Sequence, residues 1–178
     1  MPRIELQNPE TATGERKEIL SQIHAAFGTT PNMFKAIANS TPALKMMWSA
    51  FGALGGGKLG PKLGEQIAIA VADVNRCEYC LAAHTALGNG AGLSAETMSQ
   101  AQRAKSNDPK TQAALTFAVK VVKERANISP DDISALRKAG YSEEDVAEIL
   151  AHVALNIFTN YTNVAFDVPI DFPKVALS

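Results

Sequence analysis

Helix boundaries are marked in this chain more clearly than any other feature, and they fix its fold class. The apolar positions Ile19, Leu20, Ile23, Ala26 and Phe27 keep helical spacing from Glu15 onward, and Gly28 ends the run as a cap. Thr41-Pro42 and Asp108-Pro109 each pair a capping side chain with a first-turn proline. Ser129-Pro130-Asp131-Asp132 and Ser142…Asp145 place an acid where a capping box needs one. Between these marks the spacing predicts helices through Met46, Met47 and Phe51, over Lys62–Asn75, from about Cys77 to Asn89, and through Met98 and Ala101. Further helices are expected over 109–126, from Ser129 to Gly140, and from Ser142 to about Phe166, with a short segment carrying Met33, Phe34 and Ile37. Residues 1–14 read as an irregular lead-in and Gly55-Gly56-Gly57 as a turn or hinge. No segment sustains apolar alternation of period two, so the expectation is an all-α bundle without a sheet. Composition agrees. Of the 46% hydrophobic residues few are aromatic (6% of the chain), and alanine, with 29 residues, is the largest single share of the rest, which suits closely packed helices.

At 178 residues, one all-helical domain over 1–178 is expected. A chain of this length buries roughly 70% of its unfolded surface and needs no staples. Its net charge of −1 gives no global electrostatic reason to bind nucleic acid or an anionic membrane. No apolar run reaches ~18 residues without a charge, and Met1–Glu10 lacks a basic start followed by an apolar core. The chain is therefore expected to be cytoplasmic. Its two cysteines, Cys77 and Cys80, are too few and too close for a disulfide scaffold. In that compartment a close pair points to redox chemistry or metal.

Shifting the sequence by 48 residues aligns 61–100 with itself without gaps, with nine identities including Pro61/Pro109, Ala70/Ala118, Gly92/Gly140 and Ser94/Ser142. Two readings fit: chance agreement among alanine-rich helices, or one helical unit used twice. Under the second, Cys77, Cys80 and His84 fall on Arg125, Ile128 and Asp132, so only the first copy carries reactive groups.

Cys77, Cys80 and His84 stand at i, i+3 and i+7, on one face of the expected helix. Thiols at that spacing can close a disulfide with little backbone change. A helix N-terminus favours a thiolate, which suits Cys77, and Arg76 adds positive charge. His84, one turn beyond Cys80, can take its proton, which makes Cys80 the candidate nucleophile. Glu65 lies 15 residues before Cys80, roughly 22 Å away on a continuous helix. Asp73, Asn75 and Arg76 suggest a break midway between 65 and 84. A fold-back there would bring the carboxylate level with His84 to orient its ring.

The pattern Glu65-x11-Cys77-x2-Cys80-x3-His84 resembles the AhpD-like alkylhydroperoxidases of the carboxymuconolactone decarboxylase superfamily, specifically over residues 61–92. The Asn156–Tyr161 stretch is similar to the peroxidase-related branch of that family. The resemblance implies an all-helical fold, often with an internal repeat, and a homo-oligomer, commonly a trimer or hexamer. It implies that Cys80 attacks an organic hydroperoxide and becomes a sulfenic acid. Cys77 then resolves it into a disulfide, and His84 and Glu65 relay protons. The reductant would be an external dithiol or a thioredoxin-like protein, and no metal, haem or flavin cofactor is required. The chain departs from the founding type at Tyr79, where that type has a histidine.

Other readings of the same residues are a general thiol-disulfide oxidoreductase and a redox-sensing oligomer. A zinc site would need a fourth ligand beyond Cys77, Cys80 and His84. Decarboxylation fits least, since this cysteine pair does not characterise decarboxylase members. Tyr79 is expected to pack or to rim the site. Trp48, Met46, Met47 and Phe51 read as core or subunit interface. His152 and Asn156 share a helix face and would line the site if the two repeats face each other, or else make ordinary buried hydrogen bonds. His24 reads as a surface residue.

Overall fold

The computed structural model describes residues 1–178 and contains nine helices and no strand. They are α1 (Gly14–Phe27), α2 (Asn32–Ile37), α3 (Thr41–Gly55), α4 (Gly60–Val74), α5 (Glu78–Gly90), α6 (Ala95–Gln102), α7 (Pro109–Lys123), α8 (Pro130–Lys138) and α9 (Glu143–Phe166). No helix is long and apolar enough to cross a membrane.

Most of the expected caps form, but Ser40 rather than Thr41 caps α3, its hydroxyl accepting from the Ala43 amide at 3.4 Å. Gly28 is left-handed after α1 (φ 71°), and the Asp108 carboxylate accepts from the Thr111 amide at 2.8 Å. Capping boxes open α8 and α9. One boundary differs. The 109–126 helix stops at Lys123, because Arg125 and Ala126 take left-handed conformations (φ 52° and 62°) and the Ala126 amide closes back on Val121 O.

Helix α4 is the axis of the molecule. A helix that is apolar on every side must be buried. Ile67, Ile69, Ala70, Val71 and Ala72 are completely so. Its alanines let α5, α6, α7 and α9 all pack directly on it. These contacts join one hydrophobic cluster that runs from Ala12 to Val168.

The break expected near Asn75 falls there. Asn75 ends α4, Arg76 is left-handed (φ 55°), and Cys77 serves as the N-cap of α5 rather than its first turn. The Cys77 amide donates back to Ala72 O at 2.9 Å. α5 therefore returns alongside α4. One turn is alike at positions 48 residues apart, which does not establish a repeated unit. Leu93 N→Gly88 O and Tyr141 N→Leu136 O are matching turns, and Gly92 and Gly140 share positive φ (80° and 88°). Lengths diverge, however, with 8 residues in α6 against 24 in α9.

The segment after α9 crosses back over the α4–α5 turn. α2 has no side-chain cap of its own, and Asp171 supplies one, accepting from the Asn32 amide at 2.8 Å. Ser178 donates its amide and hydroxyl to the buried Asp73 carboxylate at 2.9 and 2.6 Å. Gln102 donates to the same carboxylate at 2.8 Å, and Arg76 donates to Ser178 O at 2.7 Å. Burial pushes the Asp73 carboxyl up. The Ser178 and Gln102 donors and the Arg76 charge outweigh it and hold the group below its ordinary range.

Candidate active site

A disulfide joins Cys77 and Cys80, whose Cα atoms are 5.3 Å apart. Both residues are almost wholly buried. As N-cap, Cys77 Sγ accepts from the Cys80 amide at 3.2 Å, satisfying one of the free donors that open a helix. Cys80 Sγ accepts from Asn163 Nδ2 of α9, also at 3.2 Å. The Asn163 Oδ1 is buried without a partner.

The fold-back brings Glu65 and His84 together as the sequence spacing requires. His84 Nδ1 and Glu65 Oε2 are 2.9 Å apart across the α4–α5 contact. His84 is buried, with 8% of its surface exposed, and borders two cavities. The first, about 30 Å³, lies against Cys80 and is walled by Phe27, Phe34, Phe51, Tyr79 and Phe172. The second, about 150 Å³, lies on the Glu65 side and is lined also by His152 and Asn156. Cys77 borders a third space, an open cleft of about 500 Å³ with Arg3, Arg76, Glu78 and Asp167 on its walls. The two sulfurs thus face different surroundings, one aromatic and the other polar and charged.

Tyr79 packs, as expected. Its ring stands edge-on to Phe172 with centroids 5.7 Å apart, and its hydroxyl accepts from the Met33 amide at 3.2 Å. Burial drives its phenol well above the ordinary range, so it stays neutral. Met47 is core, Met46 is exposed, Trp48 donates to Gln22 at 2.9 Å, and Phe51 lines both inner cavities. His24 is exposed. Asp132, which the 48-residue shift places opposite His84, is held down to about 2 by the Lys120 ammonium and the Ser129 donors.

Sequence reasoning missed Asn163, Phe172 and the tail anchored on Asp73. A signal existed for the first. Asn156, Thr159, Asn160 and Asn163 recur at helical spacing in an otherwise apolar stretch, and all four are buried. Asn160 Oδ1 accepts from Asn75 of the α4–α5 break at 2.9 Å.

Residues 42–124 match the family model described as the carboxymuconolactone decarboxylase family. That segment contains Glu65, Cys77, Cys80 and His84, and over it the chain is similar to this family. Solved structures of AhpD-like proteins share the fold around it. A peroxidase-related protein with an alkylhydroperoxidase AhpD core from Ralstonia eutropha JMP134 superposes with TM-score 0.87 at 23% identity, covering 96% of this chain and 92% of that one. A peroxidase-related protein from Silicibacter sp. TM1040 gives 0.83 at 23% identity, over 98% and 92%. The debrominase Bmp8, in complex with 2,3,4-tribromopyrrole, gives 0.80 at 20% identity, over 95% and 91%. A comparison with curated proteins finds no match. The family is one of enzymes, and α9, which carries Asn163 and His152, lies outside the matched segment.

Proposed function

We propose that the protein is a thiol-dependent hydroperoxide reductase in which Cys80 is the nucleophile, Cys77 resolves it, and His84 with Glu65 carries protons. The observation that carries this reading is the pairing of His84 with Glu65 at 2.9 Å at the edge of the cavity that Cys80 faces. With Nδ1 on Glu65, His84 has its Nε2 left for the Cys80 thiol proton. The Cys80 thiolate attacks the terminal oxygen of R–O–O–H and the O–O bond breaks. The departing alkoxide takes the proton from His84, giving Cys80–SOH and an alcohol. The Cys77 thiol sulfur then attacks the sulfenic sulfur, the S–O bond breaks, and the hydroxide leaves as water with the Cys77 proton. Two exchanges with an external dithiol, approaching Cys77 from the open polar cleft, restore both thiols.

Consumption of an organic hydroperoxide with a dithiol donor should vanish in Cys80→Ser and fall about 10²–10⁴-fold in His84→Ala, the range for removing a positioned general base. Full activity in Cys80→Ser would overturn the assignment. Rapid exchange with protein disulfides and no sulfenic acid in Cys77→Ser after peroxide would identify a general disulfide oxidoreductase instead.

The aromatic wall facing Cys80 and the likeness to the Bmp8 fold favour a second reading, reductive dehalogenation of a small aryl halide. There Ar–Br and two thiols give Ar–H, the Cys77–Cys80 disulfide and HBr. Bromide release from a bromopyrrole with no hydroperoxide turnover would select it.

A homo-oligomer belongs to the same reading. Met46 and Leu150 are exposed on α3 and α9, beside an all-apolar groove between these helices.

A further inference from the structure

The second cavity has features that the reaction above does not use. It lies on the side of His84 bound to Glu65, and its polar lining comes from Glu65, His84, His152 and Asn156. Its volume, about 150 Å³, is room for several waters, and four polar side chains are enough to hold them. His152 is the unusual member. Its Nε2 is buried with no hydrogen-bond partner, a state that native structures seldom leave unexplained. Its ring lies over the backbone of Gly64, where a Cβ would come within 3.1 Å of Cε1 and 3.6 Å of Nδ1. Glycine inside a helix costs about 1 kcal/mol against alanine, and here it makes room for the imidazole at the level of Glu65.

The charged groups around His152 are few. Glu148 is on its own helix, Glu65 comes from α4 and His84 from α5, while α3 contributes only Phe51, Leu54 and Gly55 to the cavity. Glu148 is occupied by the Lys58 and Leu59 amides at 3.0 Å each, and Lys58 pairs with Glu144. Burial lowers the proton affinity of His152, and the His84 charge lowers it further, against the pull of Glu148 and Glu65. Its Nε2 is thus a buried nitrogen without a partner, on a ring that lines the cavity shared with Glu65 and His84.

We infer that His152 is a third proton-carrying group of the site, joined through water in this cavity to the Glu65–His84 pair. The inference rests on the proposed thiol chemistry only in that Cys80 must lose a proton to His84. When that S–H bond breaks, the proton on His84 is shared onward through Glu65 and cavity water to His152, and returns the same way when the alkoxide or thiol needs it. Nothing is oxidised or reduced in this step. His152 acts through His84, and is a positioning residue in that sense.

The test reads the Cys80 proton directly and needs no hydroperoxide. In the Cys77→Ser background, the rate of Cys80 alkylation by iodoacetamide is followed from about pH 5 to about pH 9, the span in which histidines titrate. Adding His152→Gln should move the profile up by about one pH unit, an approximately tenfold loss at a fixed pH below its midpoint. His152→Ala should show the same loss, and added imidazole should restore part of it in the alanine variant but not in the glutamine variant, where the site is filled. His152→Gln is close in size to the native residue and keeps the test valid if the alanine variant folds poorly. Superimposed profiles would overturn the inference. So would a uniform slowing at every pH that imidazole does not relieve, which marks a structural role. If the profile moves as expected while Cys80 never reacts with hydroperoxide, the peroxidase reading fails and this one stands.

Discussion

Asn163 Nδ2 donates to Cys80 Sγ at 3.2 Å, tying the last helix to the cysteine turn across 83 positions of chain. A donor at that distance stabilises a thiolate more than a thiol. Asn163→Ala should therefore slow alkylation of reduced Cys80 near neutral pH about fivefold, the worth of a hydrogen bond of about 1 kcal/mol. Asn163→Asp, which sets a carboxylate against the sulfur, should slow it further and steepen its pH dependence. Equal rates in all three proteins would show that the contact has no electronic consequence.

Tyr79 stands where the founding type carries a histidine, and it is buried and neutral. Tyr79→Phe keeps the ring on Phe172 and removes the hydroxyl that accepts from the Met33 amide and faces Asp171. Stability should drop by about 1–3 kcal/mol, because a buried N–H is left unpaired, while the rate of Cys80 oxidation changes little. A large loss of rate with unchanged melting would give the phenol a part in the chemistry.

Gly88 faces Met98 and Leu93, and an added Cβ would fall 2.9 Å from Met98 Sδ and 3.3 Å from Leu93 Cδ1. Gly88→Ala gains about 1 kcal/mol of helix propensity but overpacks the α5–α6 contact, which costs about 1–3 kcal/mol. The net expectation is a lower melting temperature, by roughly 2–4 °C per kcal/mol for a chain of this size.

Asp132 caps α8 and pairs with Lys120 at 2.7 Å. Its carboxyl is depressed to about 2, below the roughly 3.9 of an unfolded aspartate. The stability this contributes is complete above about pH 4 and is lost as pH falls toward 2. Asp132→Asn should therefore flatten the acid limb of the unfolding curve in that window and leave the neutral limb parallel to wild type. An unchanged acid limb would show that the Lys120–Ser129 environment does not survive in solution.

Much of the fold can be read from one-dimensional marks. Gly28, Pro42, Asp108, Ser129 and Ser142 each sit at a helix end for a local reason, so their meaning does not depend on the tertiary structure. The Glu65–His84 pair is legible for a related reason: the break at Asn75–Arg76 lies midway between them, and a symmetric fold-back leaves little choice. What the sequence hides depends on distant packing. Asn163 reaches Cys80 only because α9 crosses α4 and α5, and Phe172 and Ser178 reach the site through a segment with no periodicity to read. The early end of α7 is hidden too, since nothing in Arg125 or Ala126 announces a left-handed backbone.

The span between Cys80 and Asn163 also sets an order of events during synthesis. A ribosome adding about 5–20 residues per second needs roughly 4–17 s to make the 83 residues that separate them. Throughout that interval the nascent chain holds both cysteines without Asn163, Phe172 or the Ser178 anchor on Asp73. Their burial is incomplete until those residues are made, so thiols or oxidants reach the pair more readily in the nascent chain than in the folded one.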